Sequence, residues 1–268
     1  MGQYYRFINL DKKEACDRNR EFWKLTEHSY VGNYYCNDIL SLINNEWKGD
    51  RVLHVGDYAE ENDISTTSEL IKKLNKEFNT KTPFYRYSYC FEDVKPNKVK
   101  NNIRYVYNLD KKEYIDLYEQ PIMDTWFYDD TIGFNKLNSF ALLTACGNGQ
   151  GGGDYDGINN DKIGSWAGDH FESSDHKLSK YNDFKENKTY FFESWVANRI
   201  CGFDEKLKTE RGIDFLDKAI DNLKKYDRMP GILKVKVDGL NEAEKKELKS
   251  RNIKSIKIKD TKVESLNL

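Results

Sequence analysis

The stretch from Phe140 to Phe171, FALLTACGNGQGGGDYDGINNDKIGSWAGDHF, constrains this chain more than any other. An apolar run, Phe140 to Cys146, enters a loop carrying Gly147, Gly149, Gly151, Gly152, Gly153 and Gly157, and a second short apolar piece, Ile163 to Ala167, leaves it. The expected order is strand, loop, strand. Glycine this dense loses backbone entropy on folding, so an ordered loop of this kind serves left-handed turns or a close backbone approach. Two uses stay open. Successive N–H groups can cradle an anion, a phosphate above all, or the glycines can mark the bends of a wide β-connection. The spacing matches no phosphate-binding fingerprint.

Around this stretch the chain alternates short strands and helices. Gln3 to Leu10 reads as a strand running into the turn Asn9-Leu10-Asp11-Lys12-Lys13, and Arg104 to Leu109 leads into a second NLDKKE string and on to Tyr114–Leu117, the pattern of a hairpin. Two copies of six residues do not make a repeat architecture; shared turn chemistry accounts for them. Tyr35, Ile39, Leu42 and Ile43 fall at helical spacing behind Asn33 as N-cap. Arg51 to Val55 is a buried-type strand ending at Gly56-Asp57, and Thr66 with Glu69 predicts a capping box for a helix reaching Phe78. Residues 79–102 are polar, with two prolines, and read as an irregular connection. Ile122 to Phe134 is expected to pair with the strand that enters the loop. Further on, Glu172 to Lys188 reads as an exposed charged segment, Thr209 opens a helix to about Tyr226, and Ile232–Val237, Asn241–Arg251 and Ile253–Ile258 form a β-α-β tail.

A chain of 268 residues can bury a substantial core. Charged residues make up 33 % and nearly cancel, leaving a formal net charge of −2, which argues against general nucleic-acid binding. No apolar run has the length of a membrane span, and the opening residues lack the apolar region of a secretory signal. The expectation is a soluble cytoplasmic protein with no membrane partner. The five cysteines are dispersed with no C-x-x-C pair, so neither a disulfide framework nor a zinc ribbon is indicated.

The candidate chemistry is sparse. RVLHVGDYAEEN, with Asp57 at a strand end, is similar to the GD motif of metallophosphoesterases, but the other motifs of that set are missing. GNGQGGGDYDG resembles the Asn-then-Gly loop of ADP-ribose-binding macrodomains. Of the histidines, His28 and His170 each follow a carboxylate, and His54 lies inside an apolar strand. Cys146, at the loop entrance, could act as a nucleophile with a histidine base or simply be buried.

Taken together, MGQYY, KLTEHSYVGN, WKGDRVLHVGDYA, NLDKKEYIDL, LLTACGNGQGGGDYDG and GSWAGD resemble a family of uncharacterised proteins that open with MGQYY or MGQYW. The likeness covers about Met1 to Phe171. It implies no catalytic residue, only a place to look: His28, Asn33, Asp57, Asn148, Asp154, Trp166 and Asp169.

The expected fold is α+β, a mixed β-sheet with flanking helices and a small C-terminal βαβ segment, divided as residues 1–172, 173–230 and 231–268. Two function classes follow. In the first, the chain binds or processes a phosphate-bearing small molecule of nucleotide or ADP-ribose type. Asn148, Gly149, Gly151, Gly152, Gly153 and Asp154 hold it, Tyr155 or Trp166 stacks on its ring, and Asp57, Asp169 or His28 supplies acid–base or metal-ligating chemistry. In the second, the chain is a non-enzymatic interaction protein, pairing with another protein or with itself. The sequence leaves cofactor, metal and enzymatic status unassigned.

Overall fold

In the computed structural model, residues 2–17, 23–62, 65–120, 122–126, 132–189, 191–193, 231–233, 257–258 and 261–263 are described. The fold is α+β with mixed sheets. Two compact units divide the chain: Met1–Leu117 with Asn138–Thr189, and Tyr118–Leu137 with Tyr190–Leu268. The boundary expected at residue 172 falls inside a strand of the first unit.

The first unit holds strands β1 (Tyr5–Asn9), β2 (Glu14–Cys16), β3 (Val52–Gly56), β4 (Glu92–Val94), β5 (Tyr105–Asn108) and β6 (Glu113–Asp116). The second unit contributes the antiparallel hairpin of β7 (Ile122–Trp126) and β8 (Ile132–Lys136). Back in the first unit come β9 (Ala145–Cys146), β10 (Gly157–Ile158), β11 (Phe171–Ser174) and β12 (Lys185–Glu186). The second unit ends with β13 (Phe192–Glu193), β14 (Gly231–Leu233), β15 (Lys257–Ile258) and β16 (Thr261–Val263), where β16 lies parallel to β14 and antiparallel to β15. Among the described residues, the α-helices are α1 (Leu25–His28), α2 (Tyr34–Asn44), α3 (Ser68–Glu77), α4 (Phe84–Tyr87) and α5 (Ser139–Leu143), which belong to the first unit.

The first unit is an internal duplication. One sheet runs β4, β2, β1, β3, β9 and the other β12, β6, β5, β11. In each, a hairpin (β1–β2 or β5–β6) is followed by an Asn-capped helix (α2 or α5), then by a strand antiparallel to the first (β3 or β11), then by one parallel to the second (β4 or β12). The registers agree as well: Asn9 pairs with Glu14 and Val52, and Asn108 with Glu113 and Phe171. Both NLDKKE turns are built alike. Asn9 Oδ1 accepts the amides of Asp11 and Lys12, Asn108 Oδ1 accepts those of Asp110 and Lys111, and Lys13 and Lys112 take the left-handed conformation.

The halves join where Arg51 faces His170. The amides of Val52 and Gly49 donate to the carbonyls of Asp169 and Phe171, while those of Phe171 and Gly168 donate to Asp50 and Val52. Contacts that exchange in this way are those a local two-fold produces. The duplication corrects the expectation that the two NLDKKE strings share only a turn.

The core lies on both faces of the first sheet. Ile8, Leu53 and Val55 meet Ile71, Leu74 and Phe84 from α3 and α4, each burial worth about 1.5–3 kcal/mol. On the other face Phe7 packs against Tyr35, His54 and Phe140.

Several local expectations change. Asn33 caps α2 as predicted, accepting the amides of Tyr35 and Cys36. Phe140–Leu143 is helical rather than extended, because the Asn138 side chain accepts the amides of Phe140 and Ala141, and only Ala145–Cys146 is strand. Ile163–Ala167 is a run of turns. Thr66 makes no capping box; its hydroxyl donates to the Ile163 carbonyl, 3.1 Å away. The connection 79–102 contains α4 and β4, and β7 pairs with β8 instead of the segment entering the loop. The charged segment after Phe171 forms β11 and β12 of the second sheet. The helices expected at 209–226 and 241–251 lie outside the described residues.

Candidate functional site

The Gly-rich loop leaves β9 at Cys146, next to β3. Its amides do converge on an anion, and that anion is a side chain of the chain itself. The N–H groups of Gly149, Gln150 and Gly151 donate to Asp154 Oδ2 at 2.8, 2.9 and 2.9 Å. Gln3 Nε2 donates to both carboxylate oxygens, at 2.9 and 2.8 Å, and Tyr5 Oη donates to Oδ1 at 3.0 Å. Charge-assisted bonds of this kind are among the stronger ones. Burial, with the negative Asp154 beside it, pushes the Tyr5 hydroxyl well above its ordinary pKa, so the phenol stays a donor.

Asn148 closes the loop from within. Its Nδ2 donates to the Tyr155 carbonyl at 2.9 Å, and its Oδ1 accepts the Tyr155 amide at 2.8 Å. The glycines answer to close approach by the segments preceding β1 and α1. A Cβ on Gly151 would lie 2.5 Å from the Gln3 Cβ, and one on Gly153 would lie 2.2 Å from the Lys24 Cδ. Gly152 is the other side of that contact, accepting the Gln3 amide at 3.1 Å.

The two rings assigned to stacking are not available to a ligand. Tyr155 and Trp166 are each 1 % exposed, and Trp166 Nε1 donates to Glu113. The acid–base candidates are each held by a different set of partners. Asp57 Oδ1 accepts the Tyr4 amide at the end of β3. Asp169 is held by Asn108 Nδ2 at 2.8 Å and Lys111 Nζ at 2.9 Å, as Asp50 is by Asn9 and Lys12. His28 is fully buried against His54. Cys146 is a buried free thiol. Among the described residues, no group of three or more His, Cys, Asp or Glu side chains could hold a metal ion, and no helix is long and apolar enough to cross a membrane.

What the loop does border is a hollow of about 330 Å³, lined by Tyr58, Glu60, Asn62 and Gln150. Gln3 fixes this wall too, since its Oε1 accepts the Tyr58 amide while its Nε2 reaches Asp154 and the Gly147 carbonyl. These lining residues escaped the sequence reading. Only their place in the strings GDYAEEN and GNGQGGG pointed to them.

The loop is also the main departure from the duplication. In the first half, Asn45 and Glu46 alone separate the end of α2 from Trp47, whose amide donates to Leu42. In the second half, residues 144–165 separate the end of α5 from Trp166, whose amide donates to Leu143. Comparison of the chain with family models, curated proteins and solved structures finds no match to any of them.

Proposed function

We propose that this chain binds a small polar molecule with a hydroxyl-rich ring, of the nucleotide or ADP-ribose kind, in the hollow beside the Gly-rich loop. The observation that carries the reading is the insertion 144–165: the first half makes the same connection in two residues, so the loop exceeds what the fold needs. Long inserted loops held on a rigid scaffold are where binding residues concentrate. Glu60 offers a carboxylate to sugar hydroxyls, Asn62 and Gln150 offer amides that both donate and accept, and Tyr58 brings a ring. The ligand's phosphate, on this reading, points out to solvent, because Asp154 already fills the amide nest.

That same carboxylate favours a second reading, a non-enzymatic interaction protein whose loop is a rigid display element. Thermal unfolding with nucleosides, nucleotides and ADP-ribose separates the two. A ligand at a hundredfold excess over its Kd adds about 2.7 kcal/mol, and Glu60→Gln and Gln150→Ala should each reduce that gain. A flat panel, or a shift untouched by both variants, removes the hollow as the site.

A further inference from the structure

His28 on α1 and His54 on β3 meet inside the first unit with their Nε2 atoms 3.0 Å apart, and neither side chain is exposed. On the far side of each ring, Nδ1 lies 2.8 Å from the Lys24 carbonyl oxygen and 3.0 Å from that of Ala141. A carbonyl oxygen only accepts, so each Nδ1 carries a proton. Between the Nε2 atoms, two bare lone pairs repel and two N–H groups collide, so this contact holds one proton. Three contacts therefore need three protons on two rings. We propose that His28 and His54 form a buried imidazole–imidazolium pair that shares one proton and pins α1, together with the Gly-rich loop, to the first sheet.

The surroundings suit a cation. The Phe7 ring lies flat over His54, with centroids 3.8 Å apart and planes at 11°, and the face of an aromatic ring attracts positive charge. Facing the pair from β1 is Tyr5, whose hydroxyl carries the line on to the Asp154 carboxylate. From α2 come Tyr35 and the Cys36 thiol, which donates to the His28 carbonyl. At the N-cap of α1, Lys24 pairs with Glu27, and α5 brings the neutral Phe140 ring and the Ala141 carbonyl.

The mechanical link is short. On α1, the amide and hydroxyl of Thr26 both donate to the Gly153 carbonyl, at 3.1 and 3.2 Å. Loss of the shared proton leaves two lone pairs face to face and pushes α1, with its hold on Gly153, away from β3.

The proton count fixes the pH dependence. Two unfolded histidines with pKa about 6.5 carry three protons on average near that pH, as the pair does. Above it the unfolded chain keeps two protons and the pair three, so the folding constant falls about tenfold per pH unit until the pair releases its third. Below it the unfolded chain takes four, and the constant falls again at about the same rate. Stability from this pair is therefore greatest near pH 6.5.

The test uses the unaltered protein and no ligand, so its outcome is independent of the hollow's occupancy. Histidine-ring ¹H–¹⁵N spectra between pH 5.5 and 9 should show both Nδ1 atoms protonated throughout and one proton averaged over the two Nε2 atoms. As that proton leaves, hydrogen-exchange protection of Thr26 and of Gly149–Gly151, corrected for intrinsic rates, should drop at least tenfold. One proton on each ring at pH 6.5 overturns the shared-proton pair, and unchanged protection after its release overturns the pinning.

Discussion

A single carboxylate organises the Gly-rich loop. Asp154 takes three amides, an amide side chain and a phenol, so Asp154→Ala takes this acceptor from the buried Gln3 and Tyr5 side chains as well as from the loop amides and should cost about 2–4 kcal/mol of unfolding free energy. Asp154→Asn keeps one oxygen and should lose less. Because the cavity left by the alanine matches a small carboxylate, formate should restore part of the loss, measured as a rise in Tm of Asp154→Ala with no rise for the parent protein. Formate with no selective effect would mean that the amides relax to other partners. Sequence reasoning left open whether this loop gathers amides around an anion or only marks the bends of a β-connection. It could not see that the anion lies three to five residues further along the same loop, because Asp154 reaches those amides only when Gln3 packs beneath them.

Among the elements, the two NLDKKE turns give the sharpest test of the duplication. Asn9 and Asn108 each brace their turn and donate to an aspartate, Asp50 or Asp169, that a turn lysine also holds. Asn9→Ala and Asn108→Ala should therefore destabilise by similar amounts, about 1–2 kcal/mol each in chemical denaturation, and a large inequality would make the likeness of the turns superficial. The signal was on the page twice over, since WKGDR and WAGDH stand beside those strings in space: Trp47 donates to Glu14 as Trp166 does to Glu113. It was missed because the insertion 144–165 stretches one interval, so no constant period survives. The strands diverged as well, with His54 on β3 where β11 carries Ser173. Elsewhere the legible parts were those governed by local chemistry, such as the Asn33 cap. A short apolar run, Phe140–Leu143, fits strand and helix equally, and only the Asn138 cap decides.

At the scale of the whole molecule, acid sensitivity follows from carboxylates shared between distant segments. Burial raises Asp11, Asp110 and Glu172, but hydrogen bonds from Arg51, from His170, and from Lys180 with Lys48 and Tyr181 outweigh it and hold each carboxyl below its ordinary range. A depressed folded pKa contributes stability that is complete above the unfolded value of about 4 and is lost as pH falls through the folded one. The urea midpoint should accordingly drop as the pH falls below about 4, and less steeply in Glu172→Gln. Time is the other dimension in which the fold has an order. Gln3 and Asp154 are 151 positions apart, and contacts of such separation carry a large closure entropy and form slowly. During synthesis Gln3 can meet Tyr5 and Tyr58 early, but its bonds to Asp154 wait until the second half has emerged. The loop locks as one of the last events of folding, when both copies of the repeated unit are already in place.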